Sequence, residues 1–148
     1  MSAFKTYSSP NGVFRINFPG EPRFVDHGPS KPDHRAGMES YVVVLSPRQY
    51  SVLCSHYDEA PEPEKELQRL IAVHPDRTLE GKLVDSKDVT LKGKPGKEIV
   101  IVDDDKGRRT KLVVDGKDVY QVSVDLPKDE LDGEAAKKFV ESFELLKE

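Results

Sequence analysis

The chain has no tryptophan and a single cysteine, Cys54, among its 148 residues. One cysteine excludes an internal disulfide and leaves the redox compartment unspecified. Without Trp, the five Tyr and six Phe must supply the aromatic part of any core. No run approaches the ~20 apolar residues that cross a membrane as a helix. The opening MSAFKTYSSPNG also lacks the apolar stretch of a secretory signal. Membrane insertion by this chain is therefore not expected, and a cytoplasmic location is expected as the chain stands. Basic residues are not in excess: 23 Lys and Arg stand against 27 Asp and Glu, for a net charge of −4. A general nucleic-acid binder needs a basic face to neutralise phosphates, so nucleic acid is not an expected partner. There is no internal repeat and no low-complexity segment.

The length suits one domain spanning 1–148, large enough to bury roughly two-thirds of its unfolded surface. Apolar and charged residues are nearly balanced, at 36% and 34%. The apolar residues fall in strand-like patterns. In GVFRINFPGEP, Phe14, Ile16 and Phe18 point one way and Val13, Arg15 and Asn17 the other, until Pro19-Gly20 stops the strand. Residues 20–37 read as a loop. SYVVVL (40–45) is apolar on both faces and should pair as a hairpin with YSVLCSHY (50–57). In the latter Tyr50, Val52, Cys54 and His56 share a face.

A helix is expected from Pro63, with Glu62, Glu64 and Glu66 near its positive end. Leu67, Leu70, Ile71 and His74 follow helical spacing, and Pro75 should stop or kink it. His74, near the helix end, would complement the dipole. Strands follow at 81–91 and 97–103. Asp115-Gly116 signals a tight turn with positive φ at both central positions. Tyr120, Val122 and Val124 then face the core. The chain closes on a helix with Ala136, Phe139, Val140 and Phe143 as its apolar stripe and Asp132 as N-cap. The fold class that follows is α+β, a mostly antiparallel sheet with a helix on each face.

Three groups invite a chemical reading. Gly93-Lys94-Pro95-Gly96-Lys97-Glu98 is not a nucleotide loop. The spacing is wrong, Glu98 stands where Ser or Thr is needed, and Pro95 removes an amide donor. A strand-to-strand turn is expected instead, and the whole stretch from Leu91 to Val122 reads as two hairpins with charged tips. Asp103, Asp104 and Asp105 lack the alternating oxygens and distant Glu of a calcium loop. They are expected at a solvated tip, answered across the turn by Arg108 and Arg109. Cys54, His56 and Asp58 repeat at strand spacing, but side chains two apart on a strand stand about 6–7 Å from each other. No catalytic, cofactor-binding or metal-ligating residue is therefore assigned, and no cofactor is expected. His27 and His34 show no ligand spacing either. Lys92, Lys94 and Lys97 lie near one loop and, with Arg108 and Arg109, form the candidate contact surface for an acidic partner.

Four motifs recur in order: Y-x-x-P-x-G-x-F-x-I-x-F-P-G-x-P (Tyr7 to Pro22), L-x-G-x-P-G-x-E (Leu91 to Glu98), V-Y-Q-V-x-V (Val119 to Val124) and F-V-E-S-F-E-L (Phe139 to Leu145). In these the chain resembles a group of small bacterial domains of unassigned function, related in architecture to the PsbP-like fold. That fold also occurs in a Ran-binding nuclear transport factor and in DcrB-like proteins. The resemblance implies an antiparallel sheet between helices and a binding or accessory role beside another protein. It carries no catalytic residue. Members of the group often follow a leader or anchor, and removal of one would make the expected location periplasmic or membrane-anchored. Two rivals to the adaptor reading follow from the residues: a carrier of an apolar ligand or peptide between the sheet and the 20–37 loop, and a small enzyme using Cys54 and His56.

Overall fold

The computed structural model describes residues 4–9, 13–29, 35–77, 82–103, 105–131 and 133–146. Among these residues ten strands and two α-helices run in the order β1 (Lys5–Ser8), β2 (Phe14–Phe18), β3 (Arg23–Asp26), β4 (Arg35–Leu45), β5 (Arg48–Tyr57), α1 (Pro63–Arg77), β6 (Lys82–Leu91), β7 (Lys94–Val102), β8 (Lys106–Asp115), β9 (Asp118–Pro127), α2 (Glu134–Glu141) and β10 (Glu144–Leu145). Seven strands form one antiparallel sheet, β3-β4-β5-β9-β8-β7-β6, and β1-β2-β10 form a second.

The alternation in the sequence decides which residues lie on which face. Tyr50, Val52 and Cys54 of β5 sit opposite Val124, Val122 and Tyr120 of β9 and Val43, Tyr41 and Glu39 of β4. All of these therefore share one face. The small sheet and α2 cover it. Phe14, Ile16 and Phe18 of β2 and Ala136, Phe139 and Val140 of α2 are buried in this core with Tyr50 and Tyr120. On the opposite face α1 lays Leu67 and Leu70 over Ile99, Ile101, Leu112 and Val114. The hydroxyl of Tyr57 donates to Glu66 at 2.9 Å, and Arg69 donates to the same carboxylate at 2.8 Å. Glu66, read from sequence as a dipole-facing acid, is thus a buried tether between α1 and β5.

Several boundaries differ from the sequence reading. The stretch read as a loop over 20–37 contains β3, and β4 begins at Arg35. β1 and β10 are too short to show a period of two in sequence. β6 carries a bulge between Leu83 and Asp85, which leaves Val84 exposed and explains its weak pattern. Helix α1 passes Pro75 and ends at Arg77. A proline costs one hydrogen bond to the preceding turn, and so near the end only the last turn loses it. The side chains of 72–77, His74 among them, and residues His34, Asp104 and Asp132 lie outside the described residues. The residue capping α2 is Gly133, with no side-chain cap.

The stretch from Leu91 to Val122 holds three turns rather than two hairpins, in a β6-β7-β8-β9 meander. Lys92 and Gly93 both have positive φ, 52° and 78°, which is the pattern of a type I′ hairpin turn. In the β8–β9 turn the central residues are Gly116 and Lys117. Only Gly116 has positive φ, so this turn is one residue later than the Asp115-Gly116 signal suggests.

Candidate functional site

His56 lies where three strands meet on the α2 side of the large sheet. Its register partners are Gly37 on β4 and Asp118 on β9. Nδ1 is 2.7 Å from Asp118 Oδ1 and Nε2 is 2.8 Å from Glu39 Oε1. The three side chains are partly shielded, with exposures of 28%, 26% and 18% for His56, Asp118 and Glu39. Ionised carboxylates only accept, so both hydrogen bonds are made together only when both ring nitrogens carry a proton, as in the imidazolium. Burial opposes that charge, but the hydrogen bonds and charges of Asp118 and Glu39 outweigh it and hold the pKa above the ordinary histidine value.

In this arrangement both ring nitrogens of His56 are taken by carboxylates rather than by Cys54. A doubly donating imidazolium has no lone pair with which to accept a thiol proton. Cys54 is buried, and burial, then Glu39 and Asp118, push its thiol pKa well above its ordinary range. A reactive cysteine requires the opposite shift. Asp58 lies beyond the end of β5 and takes no part. The carboxylates that hold His56 come from strands 17 and 62 residues away in sequence, so spacing alone gave no signal.

Arg108 and Arg109 are not at a solvated tip. Asp103 donates its N–H to the Lys106 carbonyl, so the turn closes at 103–106 and both arginines belong inside β8. Asp103 Oδ1 accepts the N–H groups of Lys106 at 2.7 Å and Asp105 at 3.0 Å. Those backbone bonds hold its pKa below the usual carboxylate value. Adjacent residues on β8 face opposite ways. Arg108 pairs with Asp125, its register partner on β9. Arg109 donates to Glu98 at 2.7 Å and to the Leu131 carbonyl at 3.2 Å. Both guanidinium groups are nearly buried, at 9% side-chain exposure.

The three lysines do not form one patch either. Lys92 sits in the β6–β7 turn. Lys94 lies 3.2 Å from Asp115, and Lys97 pairs with Asp88. Lys94 and Lys97, three apart on one strand, face opposite sides of the sheet. Among the described residues no group of three His, Cys, Asp or Glu side chains is placed to hold a metal ion. No described helix is long and apolar enough to cross a membrane.

The feature that sequence missed lies at the β3–β4 margin. Val25, Val44 and Leu45 are 37%, 59% and 43% exposed, unusual for apolar residues in a strand pair. A hollow of about 460 Å³ runs between Gly20–Glu21 and Val42–Leu45, beside Arg23 and Val25. The doubly apolar VVVL pattern suggested cover on both faces. Neither helix nor small sheet reaches the outer side of Val44.

Compared with solved structures, the chain is similar to cyanobacterial PsbP (CyanoP) from Synechocystis sp. PCC 6803. The TM-score is 0.63 with 13% identity, over 98% of this chain and 94% of that one. The chain has a PsbP-like fold. At this identity the likeness shows the PsbP-like architecture alone: antiparallel sheet, helix on either face. A protein from Bacteroides thetaiotaomicron VPI-5482 aligns at TM-score 0.47 and 13% identity, over all of this chain and half of that one. No family model matches the chain, and no curated protein matches it.

Proposed function

We propose that this chain is a non-catalytic binding domain that recognises another protein. The observation that carries the reading is the exposed apolar margin of the large sheet at Val25, Val44 and Leu45. Apolar side chains gathered at one sheet edge mark a surface that another chain covers. The groups able to do chemistry are bound to one another instead. His56 is held on both nitrogens, Arg108 and Arg109 are in ion pairs, and Cys54 is buried. A carrier of an apolar ligand would need an enclosing groove, whereas the hollow here is an open margin between a strand and the segment leading to it.

A photo-crosslinking residue at Leu45, introduced in the source cells, tests the reading. One protein recovered in stoichiometric yield, and binding again when purified, is the expected result. Absence of any such protein would overturn it. So would rapid labelling of Cys54 by a disulfide reagent in the native state, which would revive the enzyme built on that thiol.

A further inference from the structure

β3 is the most lightly held strand of the large sheet. It is outermost, with β4 as its one neighbour among the described strands, and all four of its residues are exposed. Arg23–Asp26 pair with Val42–Glu39, the Phe24 ring lies 5.1 Å from that of Tyr41, and the N–H of His27 donates to the Met38 carbonyl at 2.8 Å. The start of β4 is interrupted in turn. Its ladder to β5 slips register between Arg35 and Gly37, and Gly37 stands opposite His56. Such a bulge leaves main chain unpaired and bends the strand. Beside that break, the bond from His56 to Glu39 ties β5 to the start of β4.

The ring serves two carboxylates and satisfies both only while both nitrogens carry protons. On losing one it turns a lone pair toward a carboxylate oxygen, and its charge no longer offsets the acids around it. On the same face Asp26 of β3 stands in register with Glu39, and Asp115 of β8 with Asp118. Asp115 keeps Lys94 at 3.2 Å. With the ring neutral, Asp26, Glu39 and Asp118 have no cation within ion-pair reach among the described residues. Cys54, Tyr41 and Tyr120 share this face, and burial pushes their pKa values up, so none of them adds or removes charge near neutral pH. Glu39 and Asp118 are the groups that act on the ring's own charge. The two are not held equally. Asp118 sits on β9, laddered to β5 on one side and to β8 on the other. Glu39 sits beside the register break, with only β3 outside it. The peripheral carboxylate is the one that gives way.

We propose that His56 is a pH-operated clasp: the protonated ring holds β3 and the start of β4 against the sheet, and loss of its proton lets them open while the rest of the fold stays closed. Opening an edge element costs less than unfolding the whole domain. It strips Phe24 from Tyr41, a residue now 2% exposed, and displaces Val25 from the apolar margin. The sign follows from the direction of the ring's shift. The folded-state pKa lies above the ordinary 6.5, so the clasp is closed in acid and loosens as pH rises through that folded value. The clasp operates whether or not the margin binds a partner.

Amide hydrogen exchange of the folded protein tests the clasp, read as protection factors so that the intrinsic pH dependence of exchange cancels. Between about pH 5.5 and about pH 8.5, protection of the His27 amide and of β3 should fall about tenfold, the scale of one charge-assisted hydrogen bond, while β8 and β9 change little. The midpoint should match the titration of the His56 ring followed by NMR. Glu39→Gln separates the clasp from a merely structural bond. A side-chain amide accepts from a protonated ring nitrogen and donates to a bare one, so this variant should stay protected at both pH values. His56→Gln, with no proton to lose, should show the low protection at both. His27→Gln should leave the pH dependence in place, because that ring bonds Ser40 and neither carboxylate. Wild-type protection that does not change with pH, that still changes in Glu39→Gln, or that is lost equally from β8 and β9 would overturn the clasp.

Discussion

His56 on β5 donates from Nδ1 to Asp118 on β9 across 2.7 Å, and this bond with its counterpart to Glu39 joins three neighbouring strands through one ring. The brace exists only while the ring is charged. A neutral imidazole has one N–H and turns a lone pair toward the second carboxylate.

Stability should follow that charge. The folded-state pKa of His56 lies above its ordinary value of 6.5. A group with a raised folded pKa contributes fully below its unfolded pKa and loses that contribution as pH rises through the folded one. The gap in urea stability between wild type and His56→Gln should be on the order of 1 kcal/mol at about pH 5.5, after allowance for solvent screening, and smaller at about pH 8.5. A gap that widens with pH would show that the ring is not an imidazolium.

The pair formed by Arg109 and Glu98 carries a second expectation. Glu98 is 12% exposed; Lys87 is 3.9 Å away, and buried Lys111 stands opposite it in register on β8 and interacts with its charge. Arg109→Met removes the only one of these cations that donates to the carboxylate at short range and should cost about 2–3 kcal/mol, because breaking a buried pair leaves its charge poorly compensated. Combining it with Glu98→Gln should recover a large part of the loss in denaturant melts. Additive losses in the double variant would mean that the two side chains are not coupled.

These two sites show where the sequence stopped being informative. Strand periodicity placed Phe14, Ile16, Phe18, Tyr120, Val122 and Val124 correctly in the core, because a period of two is a local property. The α2 stripe was legible for the same reason, although Phe143 lies just past the helix and packs against Phe14 and Tyr120 from there. His56, Arg108 and Arg109 were read by their nearest charged neighbours in sequence. Their partners are set by register across the sheet, and one further turn residue at 103–106 would have changed every pairing on β8. The exposed apolar margin at Val25 and Val44 was illegible because it depends on where β3 stops, and β3 is four residues long.

Phe139 should be the most costly single truncation on α2. It is fully buried, with ring centroids 5.5 Å from Phe18 and 5.2 Å from Tyr50, and so it joins α2 to both sheets. Phe139→Ala should lose about 3–5 kcal/mol, and Phe139→Leu less than about 1.5 kcal/mol. A loss under about 1 kcal/mol for the alanine variant in urea unfolding would make the helix peripheral to the core.

Gly93 and Gly96 of the L-x-G-x-P-G-x-E motif should fail for different reasons when given a side chain. Gly93 has a φ of 78°, and a Cβ there meets nothing within 4 Å. Its alanine variant carries backbone strain alone, about 1–2 kcal/mol. Gly96 has no such φ, but a Cβ would stand only 2.3 Å from the carbonyl oxygen of Leu112 and 3.2 Å from Val89. Main chain cannot swing aside as a flexible side chain does, so Gly96→Ala must push β7 from β8. Overpacking of this kind costs about 1–3 kcal/mol and here falls on the ladder itself. Gly96→Ala should therefore lower the urea midpoint more than Gly93→Ala and speed amide exchange along β7 and β8, whereas Gly93→Ala should leave exchange in those strands nearly unchanged. Equal protection of β7 and β8 in both variants would mean that the two strands do not approach as closely at Gly96 as the motif's second glycine requires.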